Sequence, residues 1–313
     1  MNRQMTQSPA RITLMAFVAV VFIGGTNFVV VKFSNAELPP LFGAGLRFAA
    51  ATLIFLAIMK IRRMKMPRGR ELAGAAVYGL LNIGMFYALL YFALLGISAG
   101  TTSVILASVP LVTLVMAVSQ GQERFTSRGL SGGLLAVCGI AVLSYRTFEG
   151  GLPLLPLLAA IGGAFAASAS TVLVKGFPRS DPITTNAVGM GVGAAGLLLA
   201  SAIVREPWLF PAQMRTWVAL LWLVAVGSVG LFGLFIFVIK RWKASASVYA
   251  VTLMPVVAVS LGALLANETI SPETIAGGLL VVLGVYVGAL SAGRRKASSH
   301  RPVRPALEKE AAA

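Results

Sequence analysis

The chain has 313 residues, 58% of them hydrophobic and 12% charged, whereas a soluble domain carries about 25% charged residues. So few charges cannot supply the polar skin of a soluble fold, so the sequence reads as an integral membrane protein. Its net charge of +16 would suit nucleic-acid binding in a soluble chain, but the basic residues lie in short gaps between apolar runs. The one cysteine, Cys138, sits inside an apolar run, and the one histidine, His300, near the C-terminus. That excludes a disulfide framework, a multi-Cys or His-ligated metal site and His-based catalysis in the membrane part, so no metal, cofactor or enzyme activity is expected.

A spanning helix needs about 20 mostly apolar residues. In chain order the windows are 12–33, 39–59, 72–94, 97–118, 128–145, 154–174, 182–204, 216–239, 245–266 and 272–291. Their continuity favours helices over the alternating segments of a β-barrel. The first window exceeds the apolar core of a signal peptide, about 7 to 15 residues, and is expected to stay in the mature protein. Residues 1–11 read as a cytoplasmic N-terminus, and residues 292–313, rich in Arg, Ala, Ser and Pro, as a disordered basic cytoplasmic tail.

Cytoplasmic loops collect Lys and Arg, so charge bias tests the topology. With the N-terminus inside, the inner segments hold 21 basic residues, six of them between Lys60 and Arg70. The outer segments hold four, Lys32, Arg146, Arg205 and Arg215, and Arg47 lies within a span. Losing one helix would invert every later loop, so the expected class is all-α with ten transmembrane helices, in an inner membrane, and both termini cytoplasmic.

The sequence also repeats itself. At an offset of 145, residues 98–142 align without a gap onto 243–287, matching Pro110 to Pro255, Glu123 to Glu268, Gly132 and Gly133 to Gly277 and Gly278, and Gly139 to Gly284. At an offset of 143, Phe22 meets Phe165, Val29 meets Val172, Lys32 meets Lys175 and Pro39 meets Pro182. Residues 12–145 and 154–291 are therefore two related five-helix units. Five is odd, so the second enters the membrane inverted relative to the first, a design used by transporters with a midplane site.

The stretches GGTNFVVVKF, PPLFGAGLRFAAATL, ALLGISAGTTSVILASVPLVTLVMAVSQGQERFTSRGLSGGLLAVCGIAVL and RWKASASVYAVTLMPVVAVSLGALLANETISPETIAGGLLVVLGVYVG resemble the EamA-like permeases of the drug/metabolite transporter superfamily, over residues 12 to 291. The resemblance implies export of small metabolites, often amino acids or related compounds, through a cavity between the halves.

Arg47 lies about 12 Å along its helix from Pro39. A central Arg costs about 2.5 to 3.5 kcal/mol on insertion scales, so it should face protein or water. Gly43, Ala44, Ala50 and Ala51 would admit a partner helix, while Leu41, Phe48 and Phe55 form a bulky stripe suited to lipid. Arg47 either holds an anionic group of a substrate or fixes helix packing through backbone carbonyls. Lys32 and Lys175 end the first helix of each half and are expected to snorkel to the interface. Pro110 and Pro255 are expected mid-helix, freeing the carbonyls of Leu106 and Val251 as hinges or acceptors. The remaining cavity candidates are Thr26, Asn27, Tyr78, Asn82, Thr101, Thr102, Ser170, Thr171, Trp222, Tyr249 and Thr252, uncharged polar or aromatic groups that suit a small organic ligand.

All ten carboxylates fall in loops, at helix ends or in the tail. The small multidrug resistance branch of the same superfamily uses a membrane-embedded Glu on its first helix, and none is present here. Glu123 and Glu268 look like the family's loop Glu and are expected to cap the helix that follows each. Gly191, Gly193 and Gly196 spell G-x-G-x-x-G inside a span with no preceding strand, and read as packing positions, as do Gly129/Gly133 and Gly284/Gly288. Asn267-Glu268-Thr269 is a glycosylation sequon on the expected outer side. The function expected is a secondary exporter of small metabolites, amino acids foremost, working by alternating access; the alternative is efflux of multiple drugs or lipophilic cations. Expected partners are a small-molecule substrate and the lipid bilayer, with no nucleic acid; a monomer suffices, and oligomeric state stays open.

Overall fold

The computed structural model describes residues 8–122, 127–148, 153–178, 180–241 and 244–287, and among them all regular structure is helical. Grouped by continuity, the helical runs are α1 (Ser8–Ser34), α2 (Pro40–Ile61), α3 (Arg70–Gly96), α4 (Ala99–Ser119), α5 (Ser127–Phe148), α6 (Leu154–Val174), α7 (Pro182–Ile203), α8 (214–241), α9 (Ala244–Ala266) and α10 (Pro272–Val285). Their ends lie within a few residues of the apolar windows, α10 excepted, whose window runs past the described residues. Seven runs, α1 to α4 and α6 to α8, contain stretches long and apolar enough to cross a membrane; α5, α9 and α10 contain the shorter apolar stretches Ser127–Val142, Leu253–Ala266 and Pro272–Gly284. The protein is a multi-pass membrane protein. The tail from residue 292, expected to be disordered, and Glu123 lie outside the described residues.

Two runs are not uniform α-helix. Residues Gly79–Met85 of α3 and Ala225–Gly230 of α8 wind as π-helix, a wider turn that displaces backbone carbonyls from their usual partners. The run α4 bends at Ala107 and Ser108. Pro110 consequently stands in the first turn of the helix Val109–Ser119, where a missing N–H costs nothing, and does not interrupt a continuous helix as expected. Pro255 does lie inside α9 and is buried.

The runs pack in matched pairs. Helix α2 lies along α7 and α5 along α10; α1 touches α8 and α9 as α6 touches α3 and α4; α3 meets α7 as α8 meets α2; and α4 meets α9. Exchanging each helix for the one five places away reproduces this pattern. Burial follows it as well: Phe22 and Phe165, at repeat-equivalent positions, are both about half exposed, while Val29 and Val172 are both fully buried.

Close approach is set by glycine. A Cβ on Gly139 of α5 would lie 2.7 Å from the carbonyl oxygen of Gly277 and 2.8 Å from the backbone N of Val281, and one on Gly284 would meet the backbone of Gly132 and Ala136 on α5. The small-residue seam of these helices thus faces inward, within the chain. Gly133, expected to share in it, would present a Cβ to open space. On α7, Gly193 packs against Ile83 and Gly191 against Thr52, the packing role expected of the G-x-G-x-x-G run.

Gly139→Ala must push two backbones apart, at a cost of about 1 to 3 kcal/mol. Gly133→Ala removes a helical glycine in open space and should be neutral or stabilising by up to about 1 kcal/mol. Thermal unfolding of the detergent-purified variants should therefore lower Tm for Gly139→Ala and leave it equal or higher for Gly133→Ala.

Candidate functional site

The π turn of α8 creates the polar centre of the protein. Gly227 lies in that turn, and its carbonyl accepts from Asn27 Nδ2 of α1 at 3.0 Å and from Arg47 Nη2 of α2 at 3.0 Å. A side chain at Gly227 would collide with the Asn27 amide, so only glycine lets α1 come this close. Arg47 is fully buried and directs its Nε to Ser228 Oγ at 2.9 Å and its Nη1 to the Tyr91 hydroxyl at 3.3 Å. Its guanidinium carbon also lies 4.9 Å from the centre of the Phe48 ring and 5.1 Å from that of Tyr87. The charge is thus balanced by a carbonyl, two hydroxyls and two ring faces, all neutral. Arg47 joins α2 and α3 of the first half to α8 of the second.

Phe48 and Phe55, expected to face lipid, are buried in the largest apolar cluster, with Val29, Tyr87, Tyr91, Met190, Leu197 and Leu223. The physical reason is that α2 is enclosed on several sides. It lies against α7 with Leu198 over Gly45, while Phe48 packs edge-on against Tyr87 of α3. Its exposed apolar residues are instead Leu53, Ile54 and Ile61.

Around Arg47 the other candidates divide. Asn27 is nearest, and its Oδ1 is buried with no hydrogen-bond partner among the described residues; so is Trp222 Nε1 on α8. Trp222 packs against the same apolar cluster. Tyr78 precedes the π segment of α3, and Asn82 lies inside it, one turn further on. Thr26 donates to Phe22 O, Thr102 to Ser98 O and Thr171 to Ala167 O, each within or at the start of its own helix. Thr101 accepts from Ser98 Oγ. Ser170 is buried, whereas Thr171 is exposed. The side chains of Tyr249 and Thr252 lie outside the described ones.

A second polar layer lies at the end of the bundle that the charge bias assigns to the outside. Helix α7 ends with Arg205 at φ 58°, and Glu206 N then bonds Ser201 O at 2.9 Å, a left-handed helix stop. This turn sends the Glu206 carboxylate across to the other half. There it accepts from the backbone N–H of Leu41 at 3.2 Å and of Phe42 at 2.8 Å. Helix α2 begins at Pro40 after Pro39, which gives no side-chain cap, so Glu206 supplies the missing one. Glu37 does the reverse, accepting from Gln213 N and Thr216 Oγ1 at the start of α8. Asn267, at φ 52°, ends α9 and places Glu268, which takes the N–H of Ala99 at the start of α4 and pairs with Lys32 Nζ at 2.7 Å.

Two expectations are corrected here. Lys32 does not snorkel to water but reaches Glu268. Glu268 does not cap the helix that follows it, since Ser271 does that by accepting from Thr274 N at 3.2 Å. Lys175 is exposed just beyond the C-terminal end of α6.

The model of the EamA-like transporter family matches the chain twice, at residues 11–145 and 154–289. The chain belongs to the EamA-like transporter family. It is 28% identical over 280 residues to a probable amino-acid metabolite efflux pump of Salmonella typhimurium, covering 86% of this chain and 91% of the relative. It is 30% identical over 278 residues to the uncharacterized inner membrane transporter YedA of Escherichia coli, covering 87% and 89%. A solved structure described only as the crystal structure of a protein superposes with a TM-score of 0.64 at 20% identity, covering 91% of this chain and 99% of the other.

Sequence reading missed Gly227, Ser228, Tyr87 and Tyr91, the groups through which the transporter holds Arg47. Gly227 and Ser228 look like ordinary small residues of an apolar span, and nothing local distinguishes the turn that exposes the Gly227 carbonyl. One signal was available: a central Arg demands acceptors, and the hydroxyl and phenol groups in other spans are the ones to test as its partners.

Truncating Arg47 to Ala leaves a cavity and strips three acceptors, a loss of about 3 to 5 kcal/mol. Arg47→Lys keeps the charge but cannot fork to three partners, so Tm should fall in the order wild type, Lys, Ala. A Lys variant as stable as wild type would show that the fork is dispensable.

Hydrogen bonding from Thr216, and then from backbone N–H groups of the 212–213 turn, holds the Glu37 carboxyl below the ordinary carboxylate range, against a smaller opposing effect of burial. A carboxyl lowered on folding adds stability above its unfolded pKa and loses it as pH falls through the folded value. Glu37→Gln should therefore lower Tm at pH 7, and the gap to wild type should close below the ordinary carboxylate range.

Proposed function

We propose that this transporter is a secondary exporter of small metabolites, amino acids or related compounds, across the inner membrane. Ten helices form two inverted five-helix halves, with both termini cytoplasmic, and the halves exchange conformations around the midplane centre at Arg47 and Asn27. The observation that carries this reading is the interchange of the principal helix contacts between the halves: exchanging each helix for its counterpart five places on carries α2 with α7, α5 with α10, and α1 with α8 and α9 onto pairs that also touch. Both halves also place a π segment in the third helix of the unit, Gly79–Met85 and Ala225–Gly230, which gives each a widened turn near the middle of a span.

The chemistry of the centre favours substrates with a polar or anionic end. Asn27 Oδ1 offers an acceptor close to the Arg47 guanidinium, with which the Asn27 amide shares the Gly227 carbonyl, and Trp222 Nε1 offers a donor against the same apolar cluster; both atoms are buried and unsatisfied among the described residues. Such groups are expensive to leave unpaired, and a small zwitterion can satisfy both kinds. A lipophilic cation would instead meet the Arg47 charge. Two relatives whose names include amino-acid metabolite efflux, from Salmonella typhimurium and Escherichia coli, support the substrate class at 28% and 27% identity. With every carboxylate in a loop, at a helix end such as Glu273 in the first turn of α10, or in the tail, transport runs downhill or by exchange.

Counterflow in proteoliposomes tests this directly, with a panel of amino acids and cationic dyes, each with and without a pH gradient. The expected result is exchange of at least one amino acid without a pH gradient. Dye transport with no amino-acid transport would overturn the substrate class, and a strict need for the gradient with a neutral substrate would overturn the mode of drive.

A further inference from the structure

Three carboxylates tie the halves at the expected outer end, but they do not tie them in the same way. Glu206 and Glu37 hold backbone and hydroxyl groups at the starts of α2 and α8. Glu268 alone of the three also holds a charge from the other half, and the three parts of this contact come from three helices. Lys32 ends α1, Ala99 begins α4, and Glu268 follows α9. Helices α1 and α4 belong to the first half and α9 to the second, and α9 packs against both. Any motion that parts α9 from α1 and α4 at this end must first break the pair.

The surroundings make the pair breakable. The Lys32 side chain is 28% exposed and that of Glu268 10% exposed, so water reaches both groups once they separate. Apart from the pair, the carboxylate keeps the Ala99 N–H, and the ammonium can extend to the interface, as the terminal position of Lys32 on α1 allows. An ion pair with a partly exposed member contributes little net stability, so it suits contacts that form and break in a cycle better than contacts that hold a fold. One turn below Lys32, on the same face of α1, Val29 is fully buried in the central apolar cluster that also holds Tyr91 and Leu223. The pair therefore stands between the outer end and the centre at Arg47. The repeat also places residues of the same types, Lys175 and Glu123, at the equivalent sequence positions.

We propose that Lys32 and Glu268, closed over the first turn of α4, are the outer gate of the transport cycle, a pair that must separate for substrate to leave on that side. This rests on the alternating-access reading above. The two residues are positioning residues, acting on access and not on the substrate itself.

Two measurements test it in a Cys138→Ser background. In the first, Lys32→Cys with Glu268→Cys is cross-linked by a short bifunctional thiosulfonate in proteoliposomes. Counterflow should fall about tenfold or more and recover on reduction, because the gate can no longer part. Undiminished counterflow in the cross-linked protein would overturn the proposal. In the second, Val29→Cys is labelled from the outer side by a membrane-impermeant maleimide, with Glu268 intact or changed to Gln. Labelling should quicken several-fold in Glu268→Gln, as the population shifts toward the open state. An unchanged labelling rate with a lowered Tm would mean that the pair is only a staple of the fold, and would refute the gate. The labelling experiment needs no substrate, so it decides the gate even if no compound in the panel is transported.

Discussion

The structure depends on the buried charge of Arg47 being satisfied, among the described residues, by neutral groups. Arg47 cannot reach water from the middle of α2, and its burial is tolerable only because neighbouring helices bring acceptors to it. The π turn of α8 supplies the Gly227 carbonyl and the Ser228 hydroxyl, α3 supplies the Tyr91 phenol and the Tyr87 ring, and Phe48 covers a further face. Each of these groups has its place because another helix is where it is. Gly227 must lack a side chain so that Asn27 can share its carbonyl, and α1 is drawn to α8 by that contact. Arg47 therefore sets the mutual position of four helices from both halves.

Away from this centre the halves are joined by two other kinds of contact, with different strengths. Helices α5 and α10 meet backbone to backbone through Gly139 and Gly284, a contact that dispersion and shape enforce and that tolerates no added carbon. At the expected outer end the joins are electrostatic and partly hydrated. Glu206, Glu37 and Glu268 each complete the N-terminus of a helix in the opposite half, where the orphan N–H groups and the helix dipole favour an anion. From sequence the carboxylates fall in loops, at helix ends or in the tail, with Glu268 expected to cap the helix that follows it. Instead Glu37, Glu206 and Glu268 hold the half-to-half seam.

Much of the fold was legible because membrane helices are read from length and hydropathy, and the observed runs start and stop near the expected windows. The repeat was legible for a similar reason: Phe22 with Phe165 and Val29 with Val172 keep the same burial because they sit at the same register of equivalent helices. The site was only half legible. Arg47 and Asn27 stand out as residues that need partners, but the partners come from α3 and α8, and a π turn has no residue pattern that announces it. Phe48 and Phe55 were misplaced because a stripe of bulky residues suits a crowded core as well as lipid, and only the packing of α2 against its neighbours distinguishes them. Glu268 was misread because sequence shows the helix next to it and not the helix opposite.

If the centre at Arg47 is a fixed pivot and the seam at Glu268 a moving one, the two ends of the bundle must separate in turn. Pulsed electron spin resonance on labels placed across the halves, one pair at the Lys32 end and one at the opposite end near Lys60 and Lys175, measures this directly in lipid. The account predicts that conditions lengthening one distance shorten the other, with the Lys32-end distance increasing in Glu268→Gln. Two distances that stay constant, or that lengthen together, would contradict it.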